Sequence, residues 1–137
     1  MRVNEIKNGV VIDHIGCGKA TKIYEMLSLD ALETPVAVLR NVPSKLMGKK
    51  DIIKIDGNIT LNLDVLGFIS PNITVDVIRD GAVVEKKHID LPEQLTDILQ
   101  CKNPRCITST EQDIRHLFRL TDKEKGIYRC VYCDTKA

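Results

Sequence analysis

Four cysteines grouped toward the C-terminal end constrain this chain more than any other feature: Cys101 and Cys106 in CKNPRC, then Cys130 and Cys133 in CVYC. Each pair offers two sulfurs from one tight loop, and the stretch between the pairs is long enough for a small hairpin that brings the loops together. The pattern suits tetrahedral zinc, one structural ion per chain. The first gap is C-x4-C rather than the commoner C-x2-C, yet it lies within the usual ligand range. Two disulfides are the alternative and require an oxidising compartment. The opening MRVNEIKNG has no apolar signal core, so the expectation is a cytoplasmic protein with reduced thiols. A redox C-x-x-C is weaker still, because no βαβ pattern surrounds Cys130 and Cys133. Four thiolates fill every position on zinc and leave none for water or substrate, which makes the ion structural rather than catalytic.

Composition narrows the function classes. The 137 residues fit one domain or two small ones, and 43% hydrophobic residues suffice for a core. No apolar run is long enough to span a bilayer, so no membrane partner is expected. Twenty basic residues balance nineteen acidic ones, and aromatics make up only 4%. A near-neutral chain with few stacking platforms argues against general nucleic-acid binding. The charge is uneven, however: residues 98–137 carry eight Lys/Arg against five Asp/Glu, a formal +3. Four thiolates and one Zn²⁺ would add two negative charges there, which Lys102, Arg105 and Arg129 are placed to offset.

The apolar pattern predicts strands at Val10–Ile15, Pro35–Val42, Asp51–Ile55, Ile73–Ile78 and Val83–Ile89, with helices over Lys19–Leu29 and Leu61–Ile69. PSKLMGKK reads as a turn-rich loop and Arg79-Asp80-Gly81 as a hairpin turn. The order β-α-β-β-α-β-β favours an α+β, ferredoxin-like antiparallel sheet with both helices on one face. LPEQLTDILQ reads as a short helix or linker, and the expected domains are residues 1–92 and 93–137. In the second, His116–Leu120 and Gly126–Val131 read as strands paired across Thr121–Lys125. Roughly forty residues bury too little core to fold alone, so a metal is expected to supply the missing stability. The second domain is thus a small β-rich zinc-binding module.

In the first domain, Gly16-Cys17-Gly18-Lys19 lacks the spacer and the Ser/Thr of a phosphate loop, so its glycines read as a turn. Cys17 reads as a lone free thiol. Asp13 and His14 are neighbours on a strand, which sends them to opposite faces, and alternation alone makes them a solvated strand end. Lys54 lies between Ile53 and Ile55 and faces away from both; Lys86 follows Val83 and Val84 in the same manner. If their strands share a sheet, the two ammonium groups converge on one polyanion.

VVIDHI, then P-S-x-x-M-G-x-K-D-x-I-K-I from Pro43 to Ile55, then Leu91-Pro92-Glu93, then C-x4-C and C-x2-C together resemble the regulatory chains of aspartate carbamoyltransferase, in order and over essentially the whole length. The resemblance implies a non-catalytic subunit of two domains in pyrimidine biosynthesis. One binds the effectors CTP, UTP and ATP and pairs with a second regulatory chain; the other holds structural zinc and docks on the catalytic chain. It implies roles for Asp13 and His14 near ribose and phosphates, Lys54 at the ribose, and Lys86 at the triphosphate. Ile6, Val11, Ile78 and Val83 are implied around the base. Asp76 departs from the family pattern, standing where asparagine is frequent, and a carboxylate there is expected to repel a phosphate or alter base preference. Gly81-Ala82 replaces a turn that elsewhere holds a tyrosine. The competing readings are a zinc-ribbon nucleic-acid module, motivated by the +3 segment, and an enzyme in its own right, disfavoured by closed zinc coordination and the lack of a nucleophile–base pair.

Overall fold

β-branched alternation is realised directly in the computed structural model, which describes residues 6–137; the reading of MRVNE lies outside the described residues. The chain divides into two units, Met1–Asp90 and Leu91–Ala137.

In the first unit the strands are β1 (Gly9–Gly16), β2 (Val36–Ser44), β3 (Gly48–Ile55), β4 (Thr74–Arg79) and β5 (Ala82–His88), with helices α1 (Ala20–Met26) and α2 (Leu63–Ile69). The sheet order is β2-β3-β1-β4-β5, every neighbouring pair antiparallel. This is the ferredoxin-like arrangement extended by β5 at one edge. The helices pack on each other. Ala20, Ile23, Val65, Leu66 and Ile69 from them are buried, as are Val10, Ile12, Ile15, Ile53, Ile55 and Val75 from alternate strand positions. Gly9 is required by close approach: a Cβ there would lie 2.1 Å from the Ile55 carbonyl oxygen.

Local chemistry moves several boundaries from their expected places. Ser28 at φ 53° ends the first helix early, because a left-handed residue cannot continue it. Asn62 starts the second one late, its side chain accepting from the N–H groups of Asp64 and Val65. PSKLMGKK is mostly hairpin rather than loop: Pro43 pairs with Lys49 and Ser44 with Gly48. Pro43 is tolerated because β2 is an edge strand.

The second unit holds β6 (Gln94–Thr96), a single helical turn α3 (Ile107–Thr110), β7 (Leu117–Asp122) and β8 (Ile127–Cys130), in sheet order β6-β7-β8. LPEQLTDILQ is therefore neither helix nor plain linker. Its centre is a strand whose one buried residue, Leu95, pairs with buried Phe118. The Tyr128 hydroxyl donates to the Pro92 carbonyl at 2.6 Å, tying the start of this unit to its last strand.

Candidate functional site

Two clusters carry chemistry, one in each unit. In the first unit, register stacks three cross-strand rows on the sheet face turned away from the core. Gly9 pairs with Ile78, which pairs with Val83. In the next row Lys54 pairs with Val11, Val11 with Asp76, and Asp76 with Lys86. In the third, Asp13 pairs with Thr74 and Thr74 with His88. Paired residues of an antiparallel sheet project to the same side. Lys54 and Lys86 thus share one face, three strand spacings or about 14 Å apart at the backbone. Asp76 sits between them, and its Oδ1 is buried without a hydrogen-bond partner.

Asp13 and His14 do not obey strand alternation. His14 has φ 58°, and the pairing of β1 with β3 shifts between Ile12 and Ile15, which is a one-residue bulge. The extra residue turns both side chains to the same face. His14 Nδ1 lies 2.9 Å from Thr74 Oγ1, the His14 N–H donates to Asp13 Oδ1, and Lys50 Nζ meets Asp13 Oδ1 at 2.9 Å. Burial pushes the Asp13 carboxyl up, but the Lys50 ammonium and the His14 N–H outweigh it and hold the group below its ordinary range. A depressed value means that the stabilisation is complete above the unfolded carboxyl's range, about pH 4, and is lost as pH falls through the folded value. Replacing Lys50 by Met is expected to move the Asp13 titration upward, measured by carboxyl NMR; an unmoved titration would remove Lys50 as the cause.

A cavity of about 660 Å³ borders this face, lined by His14, Thr74, Lys86 and His88 among others. Thr74 and His88 did not emerge from the sequence, and Lys50 emerged only as one of a cluster of lysines around the third strand, not as a partner of Asp13. Their positions follow only from cross-strand register. Ile6 is buried, close to Gly9, Val11 and Ile78 are half-buried, and Val83 is exposed.

Beneath this face, on the core side of β3, lies the fully buried Asp51. Its carboxylate accepts from the N–H groups of Gly18 (2.9 Å), Ala20 (3.3 Å) and Asn41 (3.1 Å). Asn41 is itself a left-handed residue (φ 60°) at the β2 bulge. One side chain therefore pins the turn into α1 and the irregularity of β2.

In the second unit the sulfurs of Cys101, Cys106, Cys130 and Cys133 all lie within 4.8 Å of one another. Cys101 and Cys133 approach to 3.5 Å, Cys106 and Cys130 to 3.7 Å. Tetrahedral zinc with Zn–S bonds near 2.3 Å places sulfurs about 3.8 Å apart. The donor set and the spacing thus fit a four-coordinate ion. Thr108 Oγ1 donates to Cys106 Sγ at 3.1 Å, and Thr135 Oγ1 lies 3.2 Å from Cys133 Sγ. Thr135 draws the Cys133 thiol down to about 6 and Thr108 lowers that of Cys106, while burial pushes Cys101 up to about 12 and raises Cys130. Arg129 spans to the Asp134 carbonyl, bracing the Cys130–Cys133 loop, while Lys102 and Arg105 are exposed. Cys17 is a free, exposed thiol that donates to Asn41 Oδ1.

A ferredoxin-like sheet with Lys54 and Lys86 on its outer face, followed by a small β-rich unit whose four cysteines are placed to hold a metal, defines a two-unit chain with no enzyme-like site of its own among the features above. Residues 1–90 match the family model described as aspartate carbamoyltransferase regulatory chain, allosteric domain, and residues 93–137 match that of its metal binding domain. The regulatory chain of Clostridium acetobutylicum is 49% identical over 134 residues, covering 98% of this chain and 92% of that one. That of Bifidobacterium longum is 45% identical over 137 residues, covering 100% and 99%. The regulatory chain of Clostridium tetani is 48% identical over 135 residues, covering 98% and 94%. This chain belongs to the family of aspartate carbamoyltransferase regulatory chains, which are non-catalytic subunits. Among the described residues no helix is long and apolar enough to cross a membrane.

Proposed function

We propose that residues 1–92 form an effector domain binding the nucleoside triphosphates CTP, UTP and ATP on the Lys54–Val11–Asp76–Lys86 face. Residues 93–137 form a zinc module that docks on a catalytic chain of aspartate carbamoyltransferase in the cytoplasm. A second regulatory chain completes the pair. The observation that carries this reading is the stacking of rows: an apolar row for a base, a row bearing two lysines, and a row with Asp13, Thr74 and His88. The apolar row accounts for Ile78 and Val83, and the lysines supply point charges for ribose and phosphate oxygens. The unpartnered Asp76 Oδ1 asks for a donor. A base amino group or a ribose hydroxyl provides one; a bare phosphate does not.

The effector acts by binding one quaternary state of the assembly more tightly than another, and only that difference is transmitted. Coupling of about 1–3 kcal/mol would change affinity on the catalytic chain roughly 5- to 150-fold. Replacing Lys86 by Ala is expected to weaken CTP about tenfold or more in a calorimetric titration, with assembly on the catalytic chain intact. An unchanged titration would displace the phosphate site from Lys86. Elemental analysis of the purified chain is expected to return one zinc per chain; another metal in that ratio would correct the identity of the ion.

A further inference from the structure

His88 stands in the third row of the proposed site without a chemical role so far, sharing that row with Thr74 and lining the same cavity as His14 and Lys86. We propose that His88 is a second imidazole at the polyphosphate end of the effector site, making effector affinity rise as the solution becomes more acidic. The inference rests on the effector-site reading. Thr74 holds His14 Nδ1, so the other ring nitrogen of His14 remains for a ligand, and His88 stands on the far side of the same threonine. The charged groups around the two rings largely offset one another. Asp13 is neutralised by Lys50, Asp76 lies opposite Lys86, and Asp90 also lines the cavity. A protonated imidazole added here therefore changes the local balance by a full unit of positive charge. A polyphosphate favours the protonated ring, and the linkage draws a proton in with the ligand.

The test is a calorimetric CTP titration of the full chain, wild type and His88→Gln, at about pH 8 and about pH 6 and constant ionic strength. The terminal phosphate of CTP titrates in the same range but is common to both proteins, so the difference between them is the readout. The expected result is near-equal affinity at the higher pH and about threefold or greater weakening in His88→Gln at the lower. His88→Lys, a permanent cation, is expected to bind at the higher pH at least as tightly as the wild type does at the lower. Identical pH profiles for wild type and His88→Gln, both binding CTP, would overturn the role of His88 alone. No binding of CTP, UTP or ATP by either protein at either pH would overturn the effector-site reading as well.

Discussion

Replacing Cys101 by Ala is expected to strip the metal from the second unit and unfold it, leaving the first unit folded. Three thiolates can still bind zinc, but the geometry is no longer closed and the ion exchanges readily. Residues 91–137 are expected to depend on it because their apolar core amounts to little more than Leu95, Phe118 and Tyr128. Structural zinc sites in small modules supply on the order of 10 kcal/mol, more than such a core provides. The measurement is metal content together with amide-resolved NMR of the full chain. Dispersed signals should survive for the first unit and collapse for the second, and mixing with catalytic chains should give no large complex on sedimentation. Retained assembly would show that the cysteine module is not the docking element. Chelation of the wild type should reproduce the same pattern. Because metal binding requires thiolates, acid works in the chelator's direction: protons compete for sulfur and the affinity falls with pH.

Asp51 carries the second large effect, this time in the first unit. Truncation to Ala removes the fully buried acceptor for three N–H groups, that of Ala20 buried and those of Gly18 and Asn41 part-buried. A buried donor left unpaired costs about 1–3 kcal/mol and a part-buried one less, so a total loss of about 2–5 kcal/mol is expected. A typical domain has only about 5–15 kcal/mol to lose. Asp51→Asn keeps one carbonyl acceptor and is expected to lose roughly half as much. Urea unfolding followed by NMR probes in each unit would separate the transitions. A midpoint for Asp51→Ala within error of the wild type would mean that water or backbone rearrangement replaces the carboxylate.

Features written locally in the chain were legible. The cysteine ligand pattern depends on short spacings, and the four sulfurs do converge. Alternation turned Lys54 and Lys86 away from their apolar neighbours and left a common face conditional on a shared sheet, which the register provides. Alternation failed for Asp13 and His14 because a bulge inserts one residue, and the left-handed backbone of His14 leaves no mark that a single sequence discloses. The third strand of the C-terminal sheet was missed because three residues with one apolar position cannot establish a period. Thr74, His88 and the pairing of Lys50 with Asp13 were missed for another reason. Their partners lie far along the chain, as with His14 and Thr74, 60 residues apart. Asp51 stood in view within KKDIIKI, but a carboxylate beside lysines reads as surface until three backbone donors are seen around it.

The stretch from Lys50 to Ile55 serves two masters at a spacing of one residue. Asp51, Ile53 and Ile55 are sealed into the core, while Lys50, Ile52 and Lys54 are only half-buried on the opposite side. An alanine scan walked along these six positions would therefore trace a saw-tooth. Odd-numbered changes would each cost several kcal/mol of stability, and the two lysine changes would spare it and, on the effector-site reading proposed above, dull the response to nucleotide. Variation within this strand is constrained from both sides at once, so if the effector site lies where it is proposed, a regulatory chain can retune its effector preference here only through every second letter.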